Sequence, residues 1–157
     1  MGMDANPLAL LLPVSGLNQS DLARLAGVSR QAASVWMRGG APGGMRVSHL
    51  LSLSRALGVG LAELAEPLPA LEPELEDALR AELLWDSLYP GLLEFCAALA
   101  LGEPRALARL VQVYGLYRAA RAGGREVWTR YPEYRRHIKP ARRAGLDLIW
   151  RLERGRA

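Results

Sequence analysis

The 157-residue sequence predicts an all-α fold. Three observations carry the prediction. Apolar residues recur at spacings of three and four through most of the chain, the period of a helix with one buried face. No strong alternating apolar/polar stretch calls for a strand. Pro and Gly fall where helices would begin and end. The boundaries expected are a helical unit at 1–66, a linker at 67–72 and a separate small helical domain at 73–157.

Taken in order, the first helix is poorly favoured: the segment from Asn6-Pro7 to Pro13 holds two prolines and no charge follows Asp4. Asn18 suits the cap of a helix that starts at Gln19, with Leu22 and Leu25 inward and Ala23 small. Gly27 can take the left-handed conformation that ends this helix, Val28 plugs the turn, and Ser29 caps a second helix at 30–38 whose inner face is Ala33, Trp36 and Met37. Two short helices joined by a tight Gly turn, with a small residue at their crossing, form a helix-turn-helix. Leu50, Leu53, Ser54 and Leu57 share a face of a further helix. The run Glu66-Pro-Leu-Pro-Ala-Leu-Glu-Pro73 places three prolines in a short span and reads as a stiff, extended linker. Beyond it, Leu71, Leu75, Leu79 and Leu83 step by four as an inward face, and Pro90-Gly91 ends their helix. Leu92, Phe95, Cys96 and Leu99 line the next helix, which Gly102 stops. Pro104 opens another, with Leu107, Leu110, Val111 and Tyr114 inward, closed by Gly123-Gly124. Short helices near 125–131 and 133–138 precede a last one near 140–154. Gly115–Trp128 faintly echoes Asp21–Trp36, although the spacing from Ala to Trp differs.

The combination of the Asn18 cap, Ala23, Gly27, Val28-Ser29, Gly39 and Ala56-Leu-Gly-Val59 resembles the lambda-repressor/Cro-type helix-turn-helix, the XRE family, over about residues 5–66. The stretch Val47–Leu64 looks like that family's fourth and fifth helices. The resemblance implies a five-helix domain whose second helix-turn-helix helix enters the DNA major groove. By position, Arg30, Gln31, Ser34 and Val35 would reach base edges. Arg can donate two bonds to guanine, Gln can pair with adenine, and Val can touch a thymine methyl. Gln19 and Ser20, at a helix start, would meet phosphate, as would Arg38 and Arg46, which flank the loop Gly39-Gly-Ala-Pro-Gly-Gly44. Two departures stand out: the weak first helix and the glycine content of that loop.

Charge divides the chain. Residues 1–69 carry five basic and four acidic side chains, 70–104 carry Arg80 against eight acids, and 105–157 carry fourteen basic and four acidic. The DNA-reading part therefore has net charge of only +1, which limits its non-specific pull on DNA. The −7 and +10 segments could neutralise each other within one domain or across a dimer. Basic and aromatic residues mix in Arg125–Arg143, with Trp128, Tyr131 and Tyr134. That mixture suits either nucleic-acid stacking or an aromatic core under a solvated rim whose arginines pair with the acidic helices, and the second reading is preferred. Of the 20 basic residues only Lys139 is lysine, a bias that a GC-rich genome explains.

Other residues have bland readings. Trp36 is expected in the core. His49 and His137 lack the spacing of a metal site or triad. Cys96, the one cysteine, is expected to be a buried inert thiol, and it excludes an internal disulfide. Glu72, Glu74, Glu76 and Asp77 are acids at a helix start. No phosphate loop, paired-carboxylate arrangement or nucleophile–base set stands out, so no enzyme, cofactor or metal is expected. Half the residues are hydrophobic, enough for a packed core, yet no run spans a membrane, and Leu8–Val14 lacks the basic leader of a signal peptide. The expectation is a cytoplasmic regulator, a repressor that binds double-stranded DNA at a palindromic operator as a homodimer. The alternatives are an antitoxin-like autoregulator whose C-terminal domain binds a partner protein, or an interaction module that does not bind DNA.

Overall fold

A computed structural model describes residues 6–38, 44–66 and 71–155. All regular structure among them is helical: α1 (Pro7–Val14), α2 (Gln19–Ala26), α3 (Arg30–Arg38), α4 (Val47–Leu57), α5 (Leu61–Ala65), α6 (Pro73–Leu83), α7 (Leu92–Ala100), α8 (Pro104–Gly123), α9 (Glu126–Thr129), α10 (Tyr131–Tyr134), a 3-10 turn at Arg135–His137, and α11 (Pro140–Arg154). Asp4, most of the glycine-rich loop including Gly39, and residues 67–70 of the expected linker lie outside the described residues.

The weakly favoured first segment is a helix, and tertiary contacts explain why. Pro7 sits in its first turn, where a missing N–H costs nothing, and the Asn6 side chain accepts from the Leu8 N–H at 3.1 Å. The same Asn6 amide donates to the carbonyls of Trp36 and Met37, at 2.9 and 3.1 Å, tying the start of α1 to the end of α3. Leu8, Leu11 and Leu12 are buried. They join Leu22, Ala23, Ala33, Trp36, Leu53, Leu57 and Leu64 in an N-terminal core. Ala97, on α7, is buried in this same core, and α1 lies along α7.

A second core gathers Phe95, Leu107, Val111, Leu116, Val127, Tyr131, Tyr134, Ile138 and Leu146, with Val14 of α1 at the margin of both. Its central helix, α8, is bent. Gly115 has φ 75° and ψ 169°, a conformation open essentially to glycine alone, and it breaks the helix into two segments. The helix read from the sequence as continuous is therefore two. The helix that follows Gly124 is four residues long, so the faint echo of the N-terminal helix pair does not extend to a second helix-turn-helix.

Three further expectations need correction. Leu71 and Leu75 are exposed, and only Leu79 and Leu83 of the four-residue stripe pack on the core, because α6 leans on α7 and α8 with its C-terminal end. That helix also stops at Leu83, well ahead of Pro90. Cys96 is exposed, since Phe95, Ala97 and Ala98 take the buried positions of α7, although desolvation by nearby atoms raises its thiol pKa. Finally, among the described residues a single ion pair, Arg109 to Asp86, joins the acidic and basic segments. The other arginines of the basic segment that form ion pairs do so locally: Arg130 with Glu126 and Glu133, and Arg135 with Asp147. The aromatic residues do follow the core reading: Tyr131 and Tyr134 are buried, Trp128 half so.

Candidate nucleic-acid interface

The geometry of the helix pair starts from its caps. The Asn18 side chain accepts from the N–H groups of Ser20 and Asp21, at 2.8 and 3.1 Å, while the Asp21 carboxylate accepts from the Asn18 N–H at 3.0 Å. This reciprocal box fixes the start of α2. The Asn18 N–H foremost, and the Arg24 guanidinium at 3.2 Å, hold the Asp21 carboxyl below its ordinary pKa. Gly27, at φ 68° and ψ 37°, turns the chain, and its N–H caps the end of α2 on the Ala23 and Arg24 carbonyls. The Ser29 Oγ then accepts from the Ala32 N–H at 3.2 Å and opens α3.

α3 is strongly two-faced. Ala33 is wholly buried and Trp36 nearly so, with Met37 packed against the same core. On the opposite side Arg30, Gln31 and Val35 are exposed, with Ser34 half-buried between them. All four residues expected at base edges thus share one outward edge of α3. Val35 is an apolar side chain that is 54% exposed, and nothing in the fold buries it. The Gln19 amide donates to the Arg30 carbonyl at 3.2 Å, so the starts of α2 and α3 stand side by side. Gln19 and Ser20 are both exposed there. Asp21 is the sole acid on α2 and α3, and it is already paired with Arg24. The edge offers the positive Arg30 beside the neutral donors Gln19, Ser20 and Gln31, which suits phosphate.

The remaining two candidates differ. Arg38 is exposed at the end of α3, where its Nε donates to the Ser34 carbonyl at 3.3 Å, so its side chain lies back along the helix. Arg46 is exposed at the start of α4, across the partly undescribed loop from Arg38. Among the described residues no hydrogen bond or ion pair joins its side chain to α3. Sequence reasoning missed the roles of Asn6 and His49. His49 Nδ1 accepts from the Arg46 N–H at 3.4 Å and its ring lies 5.3 Å from that of Trp36, which makes it a brace for α4 against α3. The only signal in the sequence was its place three residues after Arg46.

No curated protein and no solved structure matches the chain. Residues 15–64 match the family model described as Helix-turn-helix. Those residues contain α2 to α4 and nearly all of α5, with the caps, the Gly27 turn and the buried Ala33–Trp36 face just described, so this segment of the chain is a helix-turn-helix domain of the XRE type.

Proposed function

We propose that the protein is a sequence-specific DNA-binding regulator that acts as a repressor. Arg30, Gln31, Ser34 and Val35 read base edges in the major groove, and Gln19, Ser20, Arg38 and Arg46 hold flanking phosphates. The observation that carries this reading is the capped, two-faced α3. Its buried side is fully used by the core, while its outer edge combines two bidentate donors with an exposed valine. Arg38 swings away from the Ser34 carbonyl to reach phosphate. The division into a DNA-reading unit at 1–66, a linker at 67–72 and a helical unit at 73–157 belongs to the same proposal.

One helix-turn-helix spans only a few base pairs, so a homodimer on a palindromic operator follows. The C-terminal helices offer its surface. Leu71, just before α6, and Leu75 on it are exposed among Glu72, Glu74 and Asp77, and Leu148 and Leu152 of α11 are exposed beside Arg142 and Arg151. The acidic apolar face of one copy complements the basic apolar face of the other, and a two-fold axis makes the contact twice. Repression is then steric, with the bound dimer blocking polymerase from its cytoplasmic DNA.

Selection of random duplex DNA by the full-length protein tests the reading. The expected outcome is a palindromic consensus with half-sites about one helical turn apart. Affinity for it should fall with salt at a slope that counts the phosphate contacts. Failure to enrich any sequence would overturn it and would favour a protein partner for the C-terminal helices.

A further inference from the structure

The C-terminal core carries a cavity of about 290 Å³ that the DNA-reading proposal does not use. It lies between the turn after α6, the first half of α8 and the junction of the 3-10 turn with α11. Trp85, Leu88, Arg105, Arg109, Gln112 and His137 line it, with Asp86 and Lys139 completing the wall. Its charge is uneven. Arg109 is 93% buried by its neighbours' atoms and is committed: it donates to the Leu83 carbonyl at 2.7 Å, pairs with Asp86 and stacks 3.9 Å from the centre of the Trp85 ring. Asp86, the one carboxylate in the wall, is therefore already neutralised, and that pairing holds its pKa below the ordinary value.

Arg105 and Lys139 remain. Both are exposed, and among the described residues neither has a carboxylate within ion-pair distance, although the Lys139 ammonium also lies 5.1 Å from the centre of the Trp85 ring. Arg105 is the second residue of α8 and Lys139 directly precedes α11, so each brings the partial positive charge of a helix N-terminus to the cavity wall. Gln112 gives its carbonyl oxygen to the Lys139 N–H at 2.9 Å, which leaves its amide N–H groups as donors in the wall. His137 has its pKa lowered by burial and by the charges of Arg136 and Arg105, against the opposing charge of Glu103. Trp85 and Leu88, both large and more than two-fifths exposed, supply an apolar flank.

We infer that this cavity binds a small organic phosphate, with the phosphoryl oxygens held by Arg105 and Lys139 and the organic part lying against Trp85 and Leu88. Two cations without a carboxylate partner line one cavity beside two helix N-termini, which favours a compact, multiply charged head group. The cavity volume admits a ligand at the small end of those that proteins enclose, roughly 300 Å³. The site lies on residues 85–139, away from α2 and α3, so it stands whether or not the DNA reading does.

Calorimetric titration of the full chain with phenyl phosphate, and separately with inorganic phosphate, tests the assignment. Phenyl phosphate should bind saturably at one site per chain and change the tryptophan fluorescence. Inorganic phosphate, which lacks the apolar part, should bind more weakly. The R105Q/K139Q variant should lose affinity about tenfold or more, as expected for two charge-assisted contacts, with its melting temperature little changed. The R121Q variant, which alters an exposed arginine on the far segment of α8, should bind as the wild type does. Absence of saturable phenyl phosphate binding at millimolar concentration would overturn the inference, as would equal affinity in wild type and R105Q/K139Q.

Discussion

At the scale of single residues, the outer edge of α3 separates cleanly from the side chains that hold it in place. Arg30 and Gln31 are exposed and make no side-chain contact that the fold needs. Replacing either with Ala should leave the thermal midpoint almost unchanged and cost about 1–3 kcal/mol in affinity for the selected operator. Electrophoretic titration beside a melting curve separates the two effects. Asn6 behaves in the opposite way. Its side chain caps α1 and bonds two α3 carbonyls, so Asn6→Ala should lower stability by about 1 kcal/mol or more, read by urea denaturation, while the exposed edge of α3 keeps its residues. The base-edge candidates were legible because a helix with Ala33, Trp36 and Met37 inside must put Arg30, Gln31, Ser34 and Val35 outside. Asn6 was not, because its partners lie about thirty residues away and no local pattern announces them.

Elements show how far local pattern reaches. The bend of α8 rests on Gly115, where a Cβ would meet nothing within 4 Å. Gly115→Ala should therefore act through the backbone alone and cost about 1–3 kcal/mol in unfolding free energy. An isolated Gly in a helical run does not reveal a bend, since glycine is tolerated in straight helices as well. α11 is anchored by Asp147, which accepts from the Arg135 Nε at 2.6 Å and from the Tyr131 hydroxyl at 2.8 Å. These bonds, that from Arg135 foremost, hold its carboxyl at a pKa of about 2, against 3.8 ordinarily. A lowered native pKa means that the stabilisation is present above pH 3.8 and is lost as pH falls toward about 2. Asp147→Asn should lower the neutral-pH melting temperature and flatten its decline across that window. On α6, the four-residue stripe predicted a helix correctly. It could not tell that only the C-terminal end meets a neighbour.

Taken whole, the molecule couples its two cores where α1 packs along α7. Ala97 of α7 is 4% exposed and sits in the core built from α1 to α5. Ala97→Glu should split a single calorimetric unfolding transition into two, since a buried, unpaired carboxylate would pry α1 from α7. If the wild type itself melts in two well-separated steps, the cores are energetically independent and the coupling is absent. The proposed dimer has its own test in charge reversal. E74R/D77R should shift the protein from dimer to monomer by sedimentation, because like charges then face each other. Adding R142E/R151E to the same chain should restore the dimer. A dimer that survives the first change would place the interface elsewhere.

The sequence by itself determined the helical class, the helix-turn-helix with its Asn18 and Ser29 caps and Gly27 turn, and the outward edge of α3. Each of these is a short-range matter of periodicity and of side chains bonding to backbone a few residues away. Only the tertiary structure decided that α1 forms despite two prolines, that Leu71 and Leu75 stay uncovered, that Cys96 faces outward, and that Arg105 and Lys139 line one cavity with Trp85. These depend on which face of one helix another covers, and packing between distant segments leaves no periodic mark on either of them.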